Sequence, residues 1–531
     1  MVALNFILSS LLFVAGTQAT PLPTQEKTSA LNRATVLGTA NGVLDPAGAY
    51  RFTVKYGSAS RWAPSTVVSS WGLPTSSANA SDLPLACPQP DVDSSAFTED
   101  CLSMILYVPP SLTLTSAAPT MMWVHGGSFI VGSASAPGLD GSKLAIATQS
   151  IVAVVQYRLG ALGFLSPDGN TNLAVKDLVT ALQFLKKVVP AFGGSTSKIT
   201  VAGQSSGANM IRALLAAPSA SSLFRSAILQ SDPMNFGFLS PSTQQALQGS
   251  FNGLVSCGAT DATCRNALSL DTIIDAQMNV FGNAVSIAPA AGSNQPIRPV
   301  TDESFITSPL DSTAAFPAVS KPLLLTTVKN EATFAIYGNF ESPLPEDAFY
   351  PVCDATFGSD RAEVVVSAPF YVPVPSAVDG SVDARVQLEA VGTDYLWKCS
   401  GWTFARNWVQ NGGTVFTGEY IVGASYPGNE AVPQCTQPGV ICHQDDIQIV
   451  FGTVSNPTSA QATLTTQIQK YYKAFLATGN PNTSGAPTWS AATTSDVHAL
   501  QLGGSGEVPV GACVPTFWGQ DVEYDYQFFN L

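Results

Sequence analysis

The chain has 531 residues, of which 11% are charged, and its formal net charge is −14 at pH 7. Nucleic-acid binding needs clustered Lys and Arg, so this charge argues against a nucleic-acid partner. The three histidines, His125, His443 and His498, are far apart and form no H-x-x-x-H pair, so we expect neither a metal site nor another cofactor.

The first nineteen residues predict a cleaved signal peptide. An apolar stretch from Val2 to Val14 is followed by Thr17-Gln18-Ala19, which has the character of a cleavage site. An uncleaved membrane anchor is the alternative, because the segment lacks Lys and Arg. No later stretch is long and apolar enough to cross a membrane, so we expect residues 20–531 to form a single secreted, extracellular domain. The glycosylation sequons at Asn79 and Asn482 agree with secretion.

Nine cysteines also favour an oxidising compartment, and one of them must remain unpaired. Closeness along the chain predicts three short-loop disulfides, namely Cys87–Cys101, Cys257–Cys264 and Cys435–Cys442. Cys353–Cys399 is the expected fourth, which would leave Cys513 as the free thiol. Other connectivities stay open, because distance along the sequence does not fix pairing.

Strand-like and helix-like segments alternate along the chain. The apolar segments Met104 to Val108, Met121 to His125, Ile151 to Tyr157 and Ile199 to Ala202 predict strands, and Asp177 to Val189 predicts an amphipathic helix. Such alternation predicts an α/β fold with a mostly parallel central sheet and helices on both faces. The stretches from Ser65 to Pro90 and from Ser286 to Pro322 are rich in Pro and Ser, and we expect long excursions there.

A glycine-rich turn follows the strand at Met121. The sequence His125-Gly126-Gly127-Ser128 is of the type that presents backbone N–H groups to the anionic oxygen of an acyl-transfer intermediate. We expect Gly127 and Ser128 to be two of these oxyanion-hole donors and Ser206 to be the third. For His125 we favour a structural role in the turn over a role as general base.

A second turn carries the expected nucleophile. Gly203-Gln204-Ser205-Ser206-Gly207 lies between the strand that ends at Ala202 and a helix-like run from Ala208 to Ala217. A tight strand-to-helix turn needs small residues on both sides of the nucleophile, so this G-x-S-x-G sequence predicts that Ser205 is exposed at a helix N-terminus. A glycine-rich turn without a catalytic role is the alternative.

With these two turns, the chain resembles the type-B carboxylesterase/lipase family of α/β-hydrolases, which includes cholinesterases and fungal lipases. The similarity runs through most of the chain and includes the segments Cys87-Pro88-Gln89, Glu99-Asp100-Cys101-Leu102, Phe192-Gly193-Gly194 and Thr478-Gly479-Asn480-Pro481-Asn482. The resemblance implies an α/β-hydrolase fold and hydrolysis of carboxylic esters. It also implies two ion pairs in the scaffold, Arg61 with Glu99 and Arg158 with Asp177.

The resemblance implies the two partners of Ser205 as well. Glu331 follows the strand-like segment Pro322 to Val328 in a sequence similar to the family's N-E-G-T-F turn, and it is the expected acid. His443 is the expected base, because its segment is similar to the family's C-H-G-x-E-L-x-x-V-F-G, with Gln444 in place of the glycine. The order of nucleophile, acid and histidine fits hydrolases of this fold. We expect His498 to be structural.

The sequence distinguishes the site residues more clearly than the type of ester that is hydrolysed. Lipases of this family carry an amphipathic lid between the cysteines that match Cys87 and Cys101, but only thirteen residues lie between them here, and Pro88 and Pro90 oppose a helix. We therefore expect a carboxylesterase without a helical lid, acting on a small-molecule or lipid ester. A lipase or sterol esterase, a feruloyl-type aryl esterase and, more remotely, a non-catalytic cholinesterase-like binding protein are the alternatives. The oligomeric state stays open.

Overall fold

The computed structural model describes residues 30–258, 260–377 and 379–526. The expected signal peptide, residues 1–19, lies outside the described residues. Among the described helices, none combines the length and the apolar character needed to cross a membrane.

The centre of the molecule is a ten-stranded sheet. In chain order its strands are β1 (Val43–Leu44), β2 (Tyr50–Lys55), β3 (Ser103–Val108), β4 (Ala118–Val124), β5 (Ile151–Val155), β6 (Gly194–Gln204), β7 (Ser226–Gln230), β8 (Pro322–Val328), β9 (Thr414–Tyr420) and β10 (Leu500–Leu502). The spatial order is β10-β9-β8-β7-β6-β4-β5-β3-β2-β1. In this spatial order, every neighbouring pair from β10 through β4 to β5 is parallel. The pairs β5–β3, β3–β2 and β2–β1 are antiparallel. Two small ribbons pair Asn32–Thr35 with Gly38–Asn41 and Gly57–Ser58 with Thr66–Val67.

Both faces of the sheet are covered, which explains why a central strand such as β5 is continuously apolar. On β4, Met122 and Val124 contact one hydrophobic core, whereas Met121 and Trp123 contact a second core. Side chains of the helix Leu173–Val188 belong to the first core, and side chains of the helix Ser459–Thr478 belong to the second. Continuous apolar strands are typical of parallel sheets that are buried in this way.

The helices fill the connections between the strands. The α-helices are Ser142–Thr148, Gly160–Phe164, Leu173–Val188, Ser206–Leu215, Pro241–Val255, Ala262–Ala267, Leu270–Gly282, Ala284–Ile287, Thr333–Asn339, Phe349–Phe357, Ser359–Ser367, Arg385–Thr393, Cys399–Gln410, Ile447–Phe451 and Ser459–Thr478. The 3-10 helices are Ser94–Ala96, Val189–Phe192, Pro218–Ala220, Pro289–Ala291, Glu346–Ala348, Asn429–Ala431, Pro433–Thr436 and Gly511–Cys513, and Asp394–Lys398 is a π-helix. The predicted strands are all present, and their ends differ by up to three residues, except that β6 begins at Gly194, five residues before the predicted Ile199. The helix predicted from Asp177 begins at Leu173, because Asn172 before it is left-handed.

The described residues contain four disulfides, and one of them differs from the expected set. They are Cys87–Cys101, Cys257–Cys264, Cys435–Cys442 and Cys399–Cys513. The expected pairing of Cys353 with Cys399 is therefore wrong, and the free thiol is the buried Cys353 instead of Cys513. Cys399 and Cys513 are 114 residues apart in sequence, yet their Cα atoms lie 4.6 Å apart. Folding of the C-terminal segment against the helix Cys399–Gln410 creates this pair, and proximity along the chain could not indicate it.

Three Arg–carboxylate ion pairs join segments that are distant in sequence. The expected pairs form: Arg158 donates two 2.8 Å hydrogen bonds to Asp177, and Arg61 donates bonds of 2.7 and 2.6 Å to Glu99. A third pair, between Arg212 of the helix Ser206–Leu215 and Asp232, is fully buried. This third pair was not predicted from the sequence, because its partners belong to different elements.

Candidate active site

The carboxyl ends of four parallel strands carry the predicted site residues. Gly127 follows β4, Ser205 follows β6 directly, Glu331 follows β8, and His443 lies in the long connection after β9. These residues and Ser128 line one cavity of about 660 Å³. The carboxyl edge of an open α/β sheet is where such folds bind ligands.

Ser205 occupies a strained turn between β6 and the helix Ser206–Leu215. Its backbone angles are φ 57° and ψ −130°, outside the ordinary regions for a residue with a side chain. The turn is held in place because the N–H of Ser205 donates to the carbonyl oxygen of Gln230, on β7, at 2.9 Å. Gly207 lets the helix approach β4: a Cβ atom there would lie 2.3 Å from the carbonyl oxygen of Val124.

The glycine turn beside Ser205 presents free backbone donors. Gly127, Ser128 and Phe129 all have positive φ angles, of 119°, 53° and 66°. Among the described residues, neither Gly127 nor Ser128 donates its N–H to another group. The N–H of Phe129 donates to the hydroxyl oxygen of Ser206 at 3.2 Å, so the Ser206 side chain ties this turn to the nucleophile turn. That contact was not foreseen from the sequence, which indicated only the backbone N–H of Ser206.

His125 has a structural position in the turn, as expected. Its ring stacks on Tyr157 with centroids 4.6 Å apart, and its Nδ1 lies 2.8 Å from the carbonyl oxygen of Gly126. The Tyr157 hydroxyl donates to the carbonyl oxygen of His125 at 2.7 Å. Burial lowers the pKa of His125 to about 4, so the ring is neutral at physiological pH.

Glu331 and His443 form a direct pair. His443 Nδ1 lies 2.6 Å from Oε2 of Glu331, and the other carboxylate oxygen accepts the N–H of Val328 at 2.8 Å. Their turns are also joined, because the N–H of Asn330 donates to the carbonyl oxygen of Ile441 at 3.0 Å. Since the Nδ1 hydrogen faces the carboxylate, the second ring nitrogen, Nε2, carries the lone pair and can accept a hydrogen bond.

The turn after His443 explains the glycine that the family carries there. Gln444 has a φ of 77°, a left-handed conformation that glycine adopts at less cost. Asp445 stabilises this conformation by accepting the N–H of Cys442 and the side-chain amide of Asn429, both at 2.8 Å. The same amide donates to the carbonyl oxygen of His443 at 2.8 Å. Burial raises the pKa of Asp445 to about 6.

A second buried carboxyl, Asp446, lies behind the Glu331–His443 pair. Burial and, next, the charge of Glu331 raise its pKa to about 7. Gln230 donates a side-chain hydrogen bond to it, and Tyr472 donates to the other end of Gln230 at 3.1 Å. No role was predicted for Asp446 from the sequence, although it stands where the family's C-H-G-x-E segment has its acidic residue.

The cavity walls are mostly apolar. The π-helix Asp394–Lys398 supplies Leu396 and Trp397, and the Trp397 ring lies 5.5 Å from that of His443. Further apolar wall residues are Phe236, Phe281, Phe334, Ile336 and Val432, and the amides are Asn294, Gln295, Asn339, Asn429 and Gln444. Among the described residues, neither Lys nor Arg lines the cavity.

No helical lid covers the cavity from the first disulfide loop. Between Cys87 and Cys101, all of whose residues are described, the regular structure is the 3-10 turn Ser94–Ala96, and none of these residues lines the cavity. This agrees with the expectation from the sequence.

A metal has no evident binding site among the described residues. The one cluster whose ligand atoms lie close enough together is Asp394 with Cys399 and Cys513. The two sulfur atoms are joined in a disulfide and cannot act as thiolate ligands.

The comparison with known proteins identifies the family. A sequence model described as the Carboxylesterase family matches residues 25–511. The chain belongs to this family. It is a carboxylic ester hydrolase with an α/β-hydrolase fold, in agreement with the resemblance noted from the sequence.

Individual relatives support this assignment. The chain is 28% identical to the cAMP-regulated D2 protein of Dictyostelium discoideum over 76% of this chain and 75% of that protein. It is 24% identical to liver carboxylesterase 1 of Mus musculus over 77% and 74% of the two chains. A para-nitrobenzyl esterase of Bacillus subtilis is 41% identical over a shorter match, 27% of this chain and 32% of that protein. A solved PNB esterase structure superposes with a TM-score of 0.72 at 23% identity, covering 89% of this chain and 96% of the other.

Proposed function

We propose that this carboxylesterase hydrolyses esters through an acyl-enzyme on Ser205, with His443 as the base and Glu331 as its acidic partner. One observation carries the proposal: the 2.6 Å pair between His443 and the buried Glu331 lines the same cavity as Ser205 on its strained turn. This is the arrangement of nucleophile, base and orienting acid from which a serine hydrolase operates.

The reaction then has two halves. Ser205 Oγ attacks the ester carbonyl carbon while its proton passes to Nε2 of His443, and Glu331 stabilises the imidazolium that forms. The negative oxygen of the tetrahedral intermediate accepts hydrogen bonds from the backbone N–H groups of Gly127, Ser128 and Ser206. The C–O bond of the ester breaks as His443 returns the proton to the leaving alcohol. Water attacks the acyl-enzyme in the same way and releases the acid.

The cavity favours uncharged esters. Glu331 and His443 are the titratable groups among the described residues of its wall, and the buried Glu331 carboxylate is already bonded to His443, so these residues offer no cationic side chain to bind an anionic substrate. A lidless carboxylesterase fits the short loop between Cys87 and Cys101 better than a lidded lipase does. The aromatic wall residues, Phe236, Phe281, Phe334 and Trp397, also support an aryl ester as a second candidate substrate.

The nucleophile is tested by labelling with a phosphonate ester. We expect one adduct on the wild-type protein and none on Ser205→Ala, together with a fall in p-nitrophenyl ester hydrolysis of roughly 10⁶-fold for that variant. Ser206→Ala is the matched control, because it removes a hydroxyl one residue away and keeps the backbone N–H; it should still form the adduct. A wild-type protein without an adduct would support the non-catalytic alternative.

A panel of substrates decides between the ester classes. It contains p-nitrophenyl esters of increasing chain length, a ferulate ester and a steryl ester. For a lidless carboxylesterase we expect kcat/KM to be highest on short or medium chains, with no jump in rate above the solubility limit of a long-chain ester. Such a jump would instead favour the lipase.

We also infer that residues 20–531 form one secreted domain. The disulfides and the single sheet that extends from Val43 to Leu502 support this inference. Both sequon asparagines are exposed, but the side-chain amide of Asn482 already donates to Asn480 and Trp489 at 3.0 and 2.9 Å. A glycan therefore fits better on Asn79. N-terminal sequencing of the secreted protein should begin at Thr20, and enzymatic deglycosylation should reduce its mass.

A further inference from the structure

Gln204, the residue before the nucleophile, contacts the histidine of the site. Its side chain is fully buried at the end of β6, and its Nε2 lies 3.2 Å from Nε2 of His443. Because Nδ1 of His443 faces Glu331, Nε2 of the neutral ring is a hydrogen-bond acceptor, and the amide of Gln204 is the donor. Among the described residues, no hydrogen bond joins His443 to Ser205 Oγ.

The Gln204 amide has no second role that would explain its burial. Its carbonyl oxygen, Oε1, is buried and has no hydrogen-bond partner within the described residues. It lies against the glycine turn, 3.1 Å from where a Cβ atom of Gly126 would stand. A buried amide that served only the scaffold would be expected to satisfy both of its ends. Its one hydrogen bond is the bond to His443.

The other groups around His443 interact with parts of the imidazole other than Nε2. Glu331 accepts from Nδ1, and the buried carboxyls Asp445 and Asp446 interact with the ring through their charges. The Trp397 ring packs against one side of the imidazole. Gln204 is therefore the described residue that contacts Nε2, the nitrogen that must take the proton of Ser205 in the proposed reaction.

We propose that Gln204 is a positioning residue for His443, whose amide N–H binds Nε2 and favours the neutral imidazole. This inference rests on the proposed function of Ser205, His443 and Glu331. The bond exists only while Nε2 is unprotonated, because a protonated Nε2 would place two N–H donors against each other. The amide therefore opposes protonation of His443 at acidic pH and extends the activity of the enzyme to lower pH. The bond must also give way as Ser205 transfers its proton.

Two substitutions of Gln204 test the inference, and they differ in the size of the pH shift that we expect. Gln204→Met keeps the length of the side chain and removes the donor. It should move the acidic limb of the kcat/KM profile to higher pH by roughly half a pH unit to one pH unit. This is the shift expected from the loss of one hydrogen bond that stabilises the neutral imidazole. Gln204→Glu places a carboxylate at the same site and should move the limb by about one unit or more in the same direction. The methionine variant keeps the test valid if the glutamate variant does not fold.

The titration of His443 is also measured directly by NMR, without substrate. The protein has three histidines, so ¹³Cε1-labelled histidine gives three signals, and His443→Gln and His498→Gln assign them. The His443 midpoint should rise in both Gln204 variants. Gln387→Met is the matched control, since Gln387 is also buried, donates one bond, to Tyr371, and has an unpartnered carbonyl oxygen, and this variant should leave the midpoint unchanged.

The outcomes separate this inference from the proposed function. An unchanged His443 midpoint in Gln204→Met would overturn the role of Gln204. A midpoint that fell would also overturn it, since that sign requires the carbonyl oxygen to face Nε2 and to stabilise the imidazolium. In either case, Ser205-dependent hydrolysis by the wild type would leave the proposed function intact. If the midpoint rose but Ser205→Ala retained full activity, the proposed function would fail while the contact to His443 stood.

Discussion

Replacing Gly207 by alanine would test how closely the nucleophile turn must approach the glycine turn. Gly207 lies in the first turn of the helix that follows Ser205, against the end of β4. A Cβ atom there would lie 2.3 Å from the carbonyl oxygen of Val124 and 2.6 Å from that of His125. Both neighbours are backbone atoms, so a side-chain rotation cannot relieve the overlap.

The size of the effect follows from these distances. The helix and the end of β4 would have to separate by about 1 Å before the contact reached an ordinary distance of about 3.5 Å. This would displace Gly127 and Ser128 from Ser205. A misplacement of 1 Å costs about 10²-fold in rate, and losing one oxyanion donor costs about 10²- to 10³-fold. We expect kcat/KM to fall roughly 10²-fold, while overpacking lowers the free energy of unfolding by about 1–3 kcal/mol.

The assay combines p-nitrophenyl ester kinetics with titration of the nucleophile by a phosphonate, which counts the folded protein. Gly253→Ala is the matched control: Gly253 lies in the helix Pro241–Val255, and a Cβ atom there meets nothing within 4 Å. It should keep full activity and gain about 0.5–1 kcal/mol of stability. If Gly207→Ala retained more than about a third of the wild-type kcat/KM, far above the loss expected for a 1 Å displacement, the close approach would not be needed for catalysis.

Two further predictions concern stability. Peptide mapping of the unreduced protein should recover Cys399 linked to Cys513. Replacing both by serine should lower the free energy of unfolding by about 5 kcal/mol, because the disulfide closes a long loop. Cys353→Ser should keep every disulfide, because Cys353 is the free thiol. The second concerns Asp446, whose pKa burial raises from 3.8 to about 7. The folded state therefore binds this proton more tightly than the unfolded chain, and the wild type loses stability as pH rises from about 4 through 7. Asp446→Asn, which can still accept from Gln230, should have a higher Tm than the wild type at pH 8 but not at pH 4. At pH 8 the gain in the free energy of unfolding is at most about 4 kcal/mol. An equal Tm difference at both pH values would contradict this prediction.

The sequence determined the local parts of this protein. The two glycine-rich turns could be recognised because a tight turn restricts residue types over a few positions, and the strand that the resemblance implies before Glu331 was predicted with the observed bounds of β8. Chain order and similarity to the family then selected Glu331 and His443, which the structure brings within 2.6 Å of each other. The turns and the strand depend on neighbours in sequence, so a local pattern was enough to predict them.

Contacts between distant segments were decided only by the tertiary structure. The Cys399–Cys513 pair, the Arg212–Asp232 pair and the contact of Gln204 with His443 each join different elements. No local pattern records such contacts, because they arise when the sheet brings separate connections to the same edge or face. The cavity wall has the same origin, since its aromatic residues come from connections far apart in the chain. The ester that it accepts is therefore a property of the assembled fold.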